Sequence, residues 1–309
     1  MEIQKRQEGV GKRKTRHLPV LTREVIDLLR VKKNKKYIDT TVGGGGHTEA
    51  IIAAGGKVLG LDADELALKM AAERLSSACP ADALNLVHGN FANLEAIARQ
   101  AGFYPVSGVL FDLGISSDQL EDAKKGFSFS KEGPLDMRLD PKIQGVTAAD
   151  LINSLTRKEL YEIFFELAGE KLARHITAVL ERTRRLEPIK TTRQLALLVE
   201  KVYRQHGYKW SRIHPATKVF LALRMVVNSE LENLKTALPQ AVRLLKKEGR
   251  LVVISFHSGE DRIVKNFLRE QEKEGILKTI TKKPIEPTKE EQERNPRSRS
   301  AKLRAGVKQ

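Results

Sequence analysis

The chain has 309 residues, enough for one large domain or two of ordinary size. Hydrophobic residues make up 40% of it, which permits a buried core, and its single cysteine, Cys79, excludes a disulfide framework, a Cys-based zinc site and a Cys-x-x-Cys redox pair. The net charge of +16 sits at the ends: residues 1–36 carry 12 Lys/Arg against 4 Asp/Glu, residues 276–309 carry 10 against 4, and the 239 residues between carry 33 against 31.

Tyr37-Ile38-Asp39-Thr40-Thr41-Val42 is β-branched, aromatic and short, and predicts a strand. Gly43 to Gly46 follow, then a helix from His47 to Ala54, and Gly55-Gly56 ends it. Lys57 to Leu61 predicts a second strand, and Asp64 to Ser77 a helix whose apolar positions include Leu66, Met70 and Leu75. Leu84 to His88 predicts a third strand, Asn93–Ala101 a helix, and Val109-Leu110-Phe111 a fourth strand ending at Asp112. Strands alternating with helices predict an α/β fold with a parallel, doubly wound sheet.

The alternation then stops. Residues 113–145, rich in Gly, Asp and Pro, read as a long loop, and loops of that length are usually functional. Residues 146–210 hold only helical patterns, at Leu160–Leu167, Leu172–Leu186 and Thr192–Tyr203, and predict a helical insertion. Ala216 to Lys247 predicts a longer helical region bent near Pro239. Gly249 then precedes an apolar strand, Arg250 to Ser255, so the sheet resumes. The expected division is a basic tail over 1–16, an α/β domain over 17–145 and 211–309, and a helical subdomain over 146–210.

Strand, glycine turn, helix, strand and acid form the arrangement of a nucleotide-type cofactor site. Glycine lets backbone approach the ligand, and an acid closing the second strand, here Asp62, accepts hydrogen bonds from a ribose. The dinucleotide fingerprint G-x-G-x-x-G is not met, because Thr48 stands where the third glycine belongs. S-adenosylmethionine has no phosphate. It needs a ribose acceptor, room at its amino-acid end and an adenine slot, which His88-Gly89-Asn90-Phe91 supplies with Phe91 as an apolar wall or an ordinary core aromatic.

Three segments are candidates for the chemistry. Asp112-Leu113-Gly114-Ile115-Ser116-Ser117 follows the fourth strand, where open α/β sheets carry their ligand crevice. A carboxylate there sits near a sulfonium or accepts hydrogen bonds from a substrate amine; Asp112 and Ser116 are the polar candidates. In Gly133-Pro134-Leu135-Asp136-Met137-Arg138, Asp136 and Arg138 frame an apolar residue, which suits a lid, an RNA contact or a structural ion pair. Ser255-Phe256-His257-Ser258 follows the resumed strand; His257 suits contact with a base or phosphate, and Ser258 suits the cap of the next helix, with Glu260 and Asp261 in its first turn. No metal site is evident.

Four blocks give the chain a resemblance: Tyr37–His47 (YIDTTVGGGGH), Phe111–Leu120 (FDLGISSDQL), Gly126–Asp140 (GFSFSKEGPLDMRLD) and Ser255–Lys265 (SFHSGEDRIVK). It resembles the bacterial 16S ribosomal RNA cytosine-N4 methyltransferases, the RsmH/MraW family, from His17 to Ser300. The resemblance implies a Rossmann-like class I methyltransferase sheet carrying an all-helical insertion that helps engage substrate. It implies methyl transfer from S-adenosyl-L-methionine to N4 of cytidine 1402 in the decoding region of 16S rRNA. Its cofactor contacts fall on Gly45, Gly46, His47, Asp62, Phe91, Asp112 and Gln119. Asp118 stands where the family usually has Pro, and Gly259 where it usually has Leu, which loosens the helix start beside His257.

Basic ends on a near-neutral body fit phosphate neutralisation on an RNA partner, here 16S rRNA or the 30S subunit, or else two solvated tails. No apolar run nears the roughly 20 residues of a membrane span. The basic N-terminus, with no apolar stretch behind it, does not read as a signal peptide, so the expected location is the cytoplasm. Oligomeric state, monomer or homodimer, is left open. Two other classes are weighed: a nicotinamide-dependent oxidoreductase on the same sheet, and a non-catalytic RNA-binding assembly factor with a relict pocket.

Overall fold

The computed structural model describes residues 19–76, 79–80, 82–208 and 214–309. The tail over 1–16, together with His17 and Leu18, lies outside these residues, as do positions 209–213 around the expected end of the insertion.

In chain order, α1 (Thr22–Leu29) leads into β1 (Lys36–Asp39), α2 (Gly46–Ala53), β2 (Lys57–Asp62), α3 (Glu65–Leu75), β3 (Leu84–His88), α4 (Leu94–Gln100) and β4 (Val106–Asp112). These follow the predicted alternation closely. The long loop opens with a short helix, α5 (Ser117–Glu121), that its Gly/Asp/Pro content concealed. The helical stretch comprises α6 (Ala148–Ser154), α7 (Arg157–Glu162) running into a π-turn over Ile163–Leu167, α8 (Ala173–Arg184) and α9 (Thr192–Gln205).

The region expected to be one helix bent at Pro239 is two helices, α10 (Thr217–Val227) and α11 (Glu230–Leu244). The break falls at Asn228-Ser229, where Ser229 is left-handed with φ 49°, and α11 passes through Pro239. Asn228 explains its position: its side-chain amide donates to Met137 O at 2.8 Å and accepts from Leu139 N at 3.0 Å, tying the break to the long loop. Then come β5 (Leu245–Ser255), α12 (Ser258–Lys273), β6 (Leu277–Thr279), α13 (Lys289–Arg294) and β7 (Lys302–Lys308).

The seven strands lie in the order β3-β2-β1-β4-β5-β7-β6. β1 to β5 pair parallel, while β7 runs antiparallel to both β5 and β6. The Rossmann-like α/β sheet expected from the resemblance is present, extended by two strands the apolar pattern did not announce. Side-chain alternation sorts its faces. Ile38, Leu59, Val109 and Val253 pack under α4, α11 and α12. Tyr37, Val58, Leu110 and Val252 pack under α1 and α2.

The helical layer has its own core, centred on Ile152, Leu160, Phe164, Ile176, Leu180 and Leu195. Leu135 and Met137 of the long loop and Val219, Phe220 and Leu223 of α10 complete it, so apolar faces from both sides of 146–210 close this layer. Among the described residues, no helix is long and apolar enough to cross a membrane.

Candidate active site

β1, β2 and β4 each end in an aspartate: Asp39, Asp62 and Asp112. A cleft of about 750 Å³ opens above these ends, walled by Asp62, Phe91, Leu113 to Ser116 and Gln119, and by Glu230 and Glu260. A second lobe of about 540 Å³ shares Thr41, Gly43 and Gly114 to Ser116 with it and adds Gly44, Gly46, His47, Asp112 and Arg297.

The glycine turn divides its work. Gly45 caps α2 at φ 78°, a conformation L-residues rarely hold, and a Cβ there would stand 3.2 Å from Leu75 Cδ1. Gly45 therefore makes the turn but does not wall the cleft; Gly43, Gly44 and Gly46 do. Gly43 N donates to Asp62 Oδ2 at 2.8 Å, and Asp64 N to Asp62 Oδ1 at 2.9 Å. Each Asp62 oxygen keeps a lone pair for a further donor.

Burial pushes the Asp62 carboxyl up to about 6 even against those two N–H bonds. With the value near 6, the ligand-free fold favours protonated Asp62 only at more acid pH, whereas hydroxyl donors from a ribose favour the carboxylate. Cofactor affinity is therefore expected to fall as pH drops below about 6, by up to about tenfold per pH unit. Calorimetry from pH 5 to 8 checks this, with Asp62→Asn flattening the profile; a flat wild-type profile removes Asp62 from the binding surface.

Asp112 and His47 form the charged centre of the second lobe. Asp112 N donates to Thr41 Oγ1 at 2.7 Å, and Asp112 Oδ2 lies 3.3 Å from His47 Nε2. Asp112 Oδ1 is buried without a hydrogen-bond partner. Burial works against charge on His47, but Asp112, Asp39 and Glu291 outweigh it and raise the imidazole pKa. Beneath them, buried Asp39 accepts from Thr48 Oγ1 at 2.7 Å and from Thr41 N at 3.2 Å.

Ser116 and Gln119 form a capping box on α5: Gln119 N donates to Ser116 Oγ, and Ser116 N to Gln119 Oε1. The Gln119 amide donates onward to Asp64 Oδ2 at 2.8 Å, which also receives Lys125 Nζ. Phe91 lines the first lobe and meets Phe111 edge-on, ring centres 5.7 Å apart.

Two expected residues stand back from the cleft walls. Asp136 grips the Arg138 guanidinium with both oxygens at 2.8 Å, a pair internal to the loop. His257, not Ser258, caps α12: its backbone is extended and its Nδ1 accepts from Glu260 N at 3.4 Å, which leaves Ser258 as the first helical residue. Several wall residues carried no local sequence signal. Thr41 holds the Asp112 backbone, while Asn228 and Glu230 arrive from the helix break at Asn228-Ser229, far along the chain from β4, and only the fold brings them to the cleft.

The profile of the MraW methylase family matches residues 14–309. A protein named ribosomal RNA small subunit methyltransferase H from Thermomicrobium roseum is 46% identical, covering 94% of this chain and 93% of its own. Its namesake in Carboxydothermus hydrogenoformans is 45% identical over 94% of this chain and 97% of its own. Among solved structures, an rRNA methylase from Streptococcus thermophilus gives a TM-score of 0.42 at 12% identity, covering 92% of this chain and 94% of that one.

Proposed function

The chain belongs to the MraW methylase family, and from that premise we propose that it methylates N4 of a cytidine, position 1402, in 16S rRNA of the small ribosomal subunit. The observation that carries the reading is the cleft at the strand ends, where Asp62 in one lobe and the Asp112–His47 pair in the other adjoin through the shared walls of Thr41, Gly43 and Gly114 to Ser116. The residues fit S-adenosylmethionine. Asp62 has lone pairs left for ribose hydroxyls, Phe91 gives an apolar wall to an adenine, and Asp112 Oδ1 is a buried acceptor with nothing to accept from. Gln119 and Ser116 stiffen the rim. Neither an oxidoreductase nor a relict pocket finds support beside this set and these relatives.

The bound cofactor supplies an electrophilic methyl carbon on a cationic sulfur. The protein has three tasks. Asp112, its carboxylate beside His47 and its backbone N–H held by Thr41, offers negative charge to the cationic end of the cofactor. The Leu113–Ile115 segment excludes water from the meeting point of base and methyl, where reacting atoms must approach to about 3–3.5 Å. The exocyclic amine must be held so that its lone pair points at that carbon; once methylated, it is acidic enough to release its proton without a dedicated base. Asp136 takes no part in this reading beyond ordering the loop, and His257 acts through the 256–260 turn.

A stacked base cannot reach this cleft, so the target nucleotide is extruded. Arg297 lines the second lobe and offers a phosphate contact, as do the basic ends. The α/β domain binds cofactor, the helical layer meets the particle, and the cytoplasm is the compartment this reading gives it. Mass spectrometry of 16S rRNA from a strain lacking the gene is expected to show N4-methylcytidine lost from that position and restored by the wild-type gene. An unchanged level removes the assignment.

A further inference from the structure

In the wall of the first lobe stands a group that none of the foregoing roles uses. Glu230, the first residue of α11, is held by Arg224, with Nε to Oε1 at 2.7 Å and Nη2 to Oε2 at 2.9 Å. Glu260 stands beside it, its Oε2 accepting from Phe256 N at 2.7 Å and His257 N at 3.2 Å. Donor atoms of Glu230, Glu260 and His257 lie within 4.8 Å of one another, which on spacing alone would suit a cation.

The hydrogen bonds argue otherwise. His257 Nδ1 must hold a free lone pair to accept from Glu260 N, which places the ring proton on Nε2 and denies that atom to a metal. Arg224 already occupies one lone pair on each Glu230 oxygen. Two carboxylates against one guanidinium leave a surplus negative charge on this wall, in a chain of net charge +16 that acts on a polyanion. Such a wall repels phosphate and accepts N–H. The groups in RNA that suit it are exocyclic amines, and a carboxylate is the acceptor that suits the cytosine amine.

The position is built. Ser229 takes φ 49° immediately before Glu230, strain of a kind that persists where the surroundings over-determine it, and Asn228 pins the break to Met137 and Leu139. Glu230 faces the same space as Leu113, Gly114 and Ile115. Resting on the function proposed above, we propose that Glu230, braced by Arg224, accepts a hydrogen bond from the N4 amine of the target cytosine and thereby selects cytosine against uracil. Uracil O4 would meet that carboxylate as acceptor against acceptor. Glu260 is a positioning residue that fixes the 256–257 turn behind it.

The test uses the full chain and small ribosomal subunits lacking the modification, with either cytidine or uridine at the target position. Wild type is expected to bind the cytidine particle at least about tenfold more tightly than the uridine particle. In Glu230→Gln the amide donates to O4, so the preference collapses to about unity, and single-turnover transfer to cytidine falls about 100-fold while cofactor affinity stays within about twofold. If Glu230→Gln melts early because Arg224 is left without its counter-charge, the pair R224Q/E230Q carries the same readout with no stranded cation. Equal binding of the two particles by wild type, or an unchanged preference in the variant, overturns the inference. A loss of cofactor affinity does so too, by moving Glu230 to the cofactor. A wild-type enzyme that binds both particles but leaves no N4-methylcytidine overturns the functional reading itself.

Discussion

Replacing Asp112 by Ala is expected to weaken cofactor binding about 100-fold and to lower turnover at saturating cofactor by at least a similar factor, with little change in the melting temperature. The site lies at the end of β4, and its backbone is anchored independently of the side chain: Asp112 N donates to Thr41 Oγ1, and Asp112 pairs with Ile254 across to β5. The fold therefore survives truncation. His47 is not stranded as a buried cation, because an imidazole that loses its carboxylate releases its proton. The raised His47 pKa comes from Asp112 first among the groups opposing burial, so it must drop in the variant, which NMR titration of the ring protons reads directly. Asp112→Asn preserves shape and removes charge; if it matches wild type in cofactor affinity, the charge has no part in binding.

The same pair gives the fold a pH dependence of its own. Because the folded pKa of His47 is raised, the stabilisation from its pairing with Asp112 is complete below 6.5 and is lost as pH climbs through the raised value. Asp62 acts on cofactor binding in the opposite direction, since it becomes a carboxylate only above about 6. Cofactor binding is thus expected to fall on the acid side, a limb removed by Asp62→Asn, while the His47–Asp112 pairing contributes to the stability of the fold below the raised His47 value.

The part of the cleft built by Tyr37 to Asp62 was largely legible in the chain, because its signals are local. A strand, a glycine turn and an acid at the next strand end occupy Tyr37 to Asp62, and their contacts, such as Gly43 N to Asp62, span only 19 residues. Phe91 follows close behind β3, which places it in the cleft wall, whereas Gln119 was reached only through the family resemblance. The wall formed by Asn228 and Glu230 was not legible. Glu230 reads as a helix-start acid, and only the break at Asn228-Ser229, held by side-chain bonds to Met137 and Leu139 some 90 residues away, turns it inward. Pro239 drew the expected bend to itself, although a left-handed Ser229 ends α10 more effectively. The edge strands β6 and β7 were missed for a related reason. Leu277-Lys278-Thr279 is too short, and Lys302 to Lys308 too basic, to show the apolar pattern of β5, yet β7 pairs with six residues of it.

The loop between β4 and α6 supports a severe expected loss of stability, and Gly126 is one of its two tightest points, with Gly133 the other. Gly126 ends the turn over Ala123–Lys125 at φ 69°, and a Cβ built there would lie 2.2 Å from Pro134 O and 2.8 Å from Asp136 N. Both obstacles are backbone atoms that cannot rotate aside. They belong to a segment already committed elsewhere: Leu135 N donates to Lys190 O, Ala149 N to Leu135 O and Ala148 N to Asp136 O, while Met137 N returns to Lys125 O. Lys125 in turn reaches Asp64, which holds Gln119 at the cofactor rim. Moving the chain away from a methyl group at 126 therefore pulls on the helical layer and the cleft together. The left-handed conformation costs an alanine about 1–2 kcal/mol, and unrelieved overlap adds about 1–3 kcal/mol. Gly126→Ala is expected to lose about 2–5 kcal/mol in urea unfolding, with cofactor affinity reduced in parallel because the Lys125–Asp64–Gln119 chain shifts. Gly145→Ala, in the same loop with nothing within 4 Å of its added carbon and no left-handed requirement, is expected to change neither. If the two substitutions behave alike, the loop is a passive tether, and the coupling between the helical layer and the cofactor rim has to be sought elsewhere.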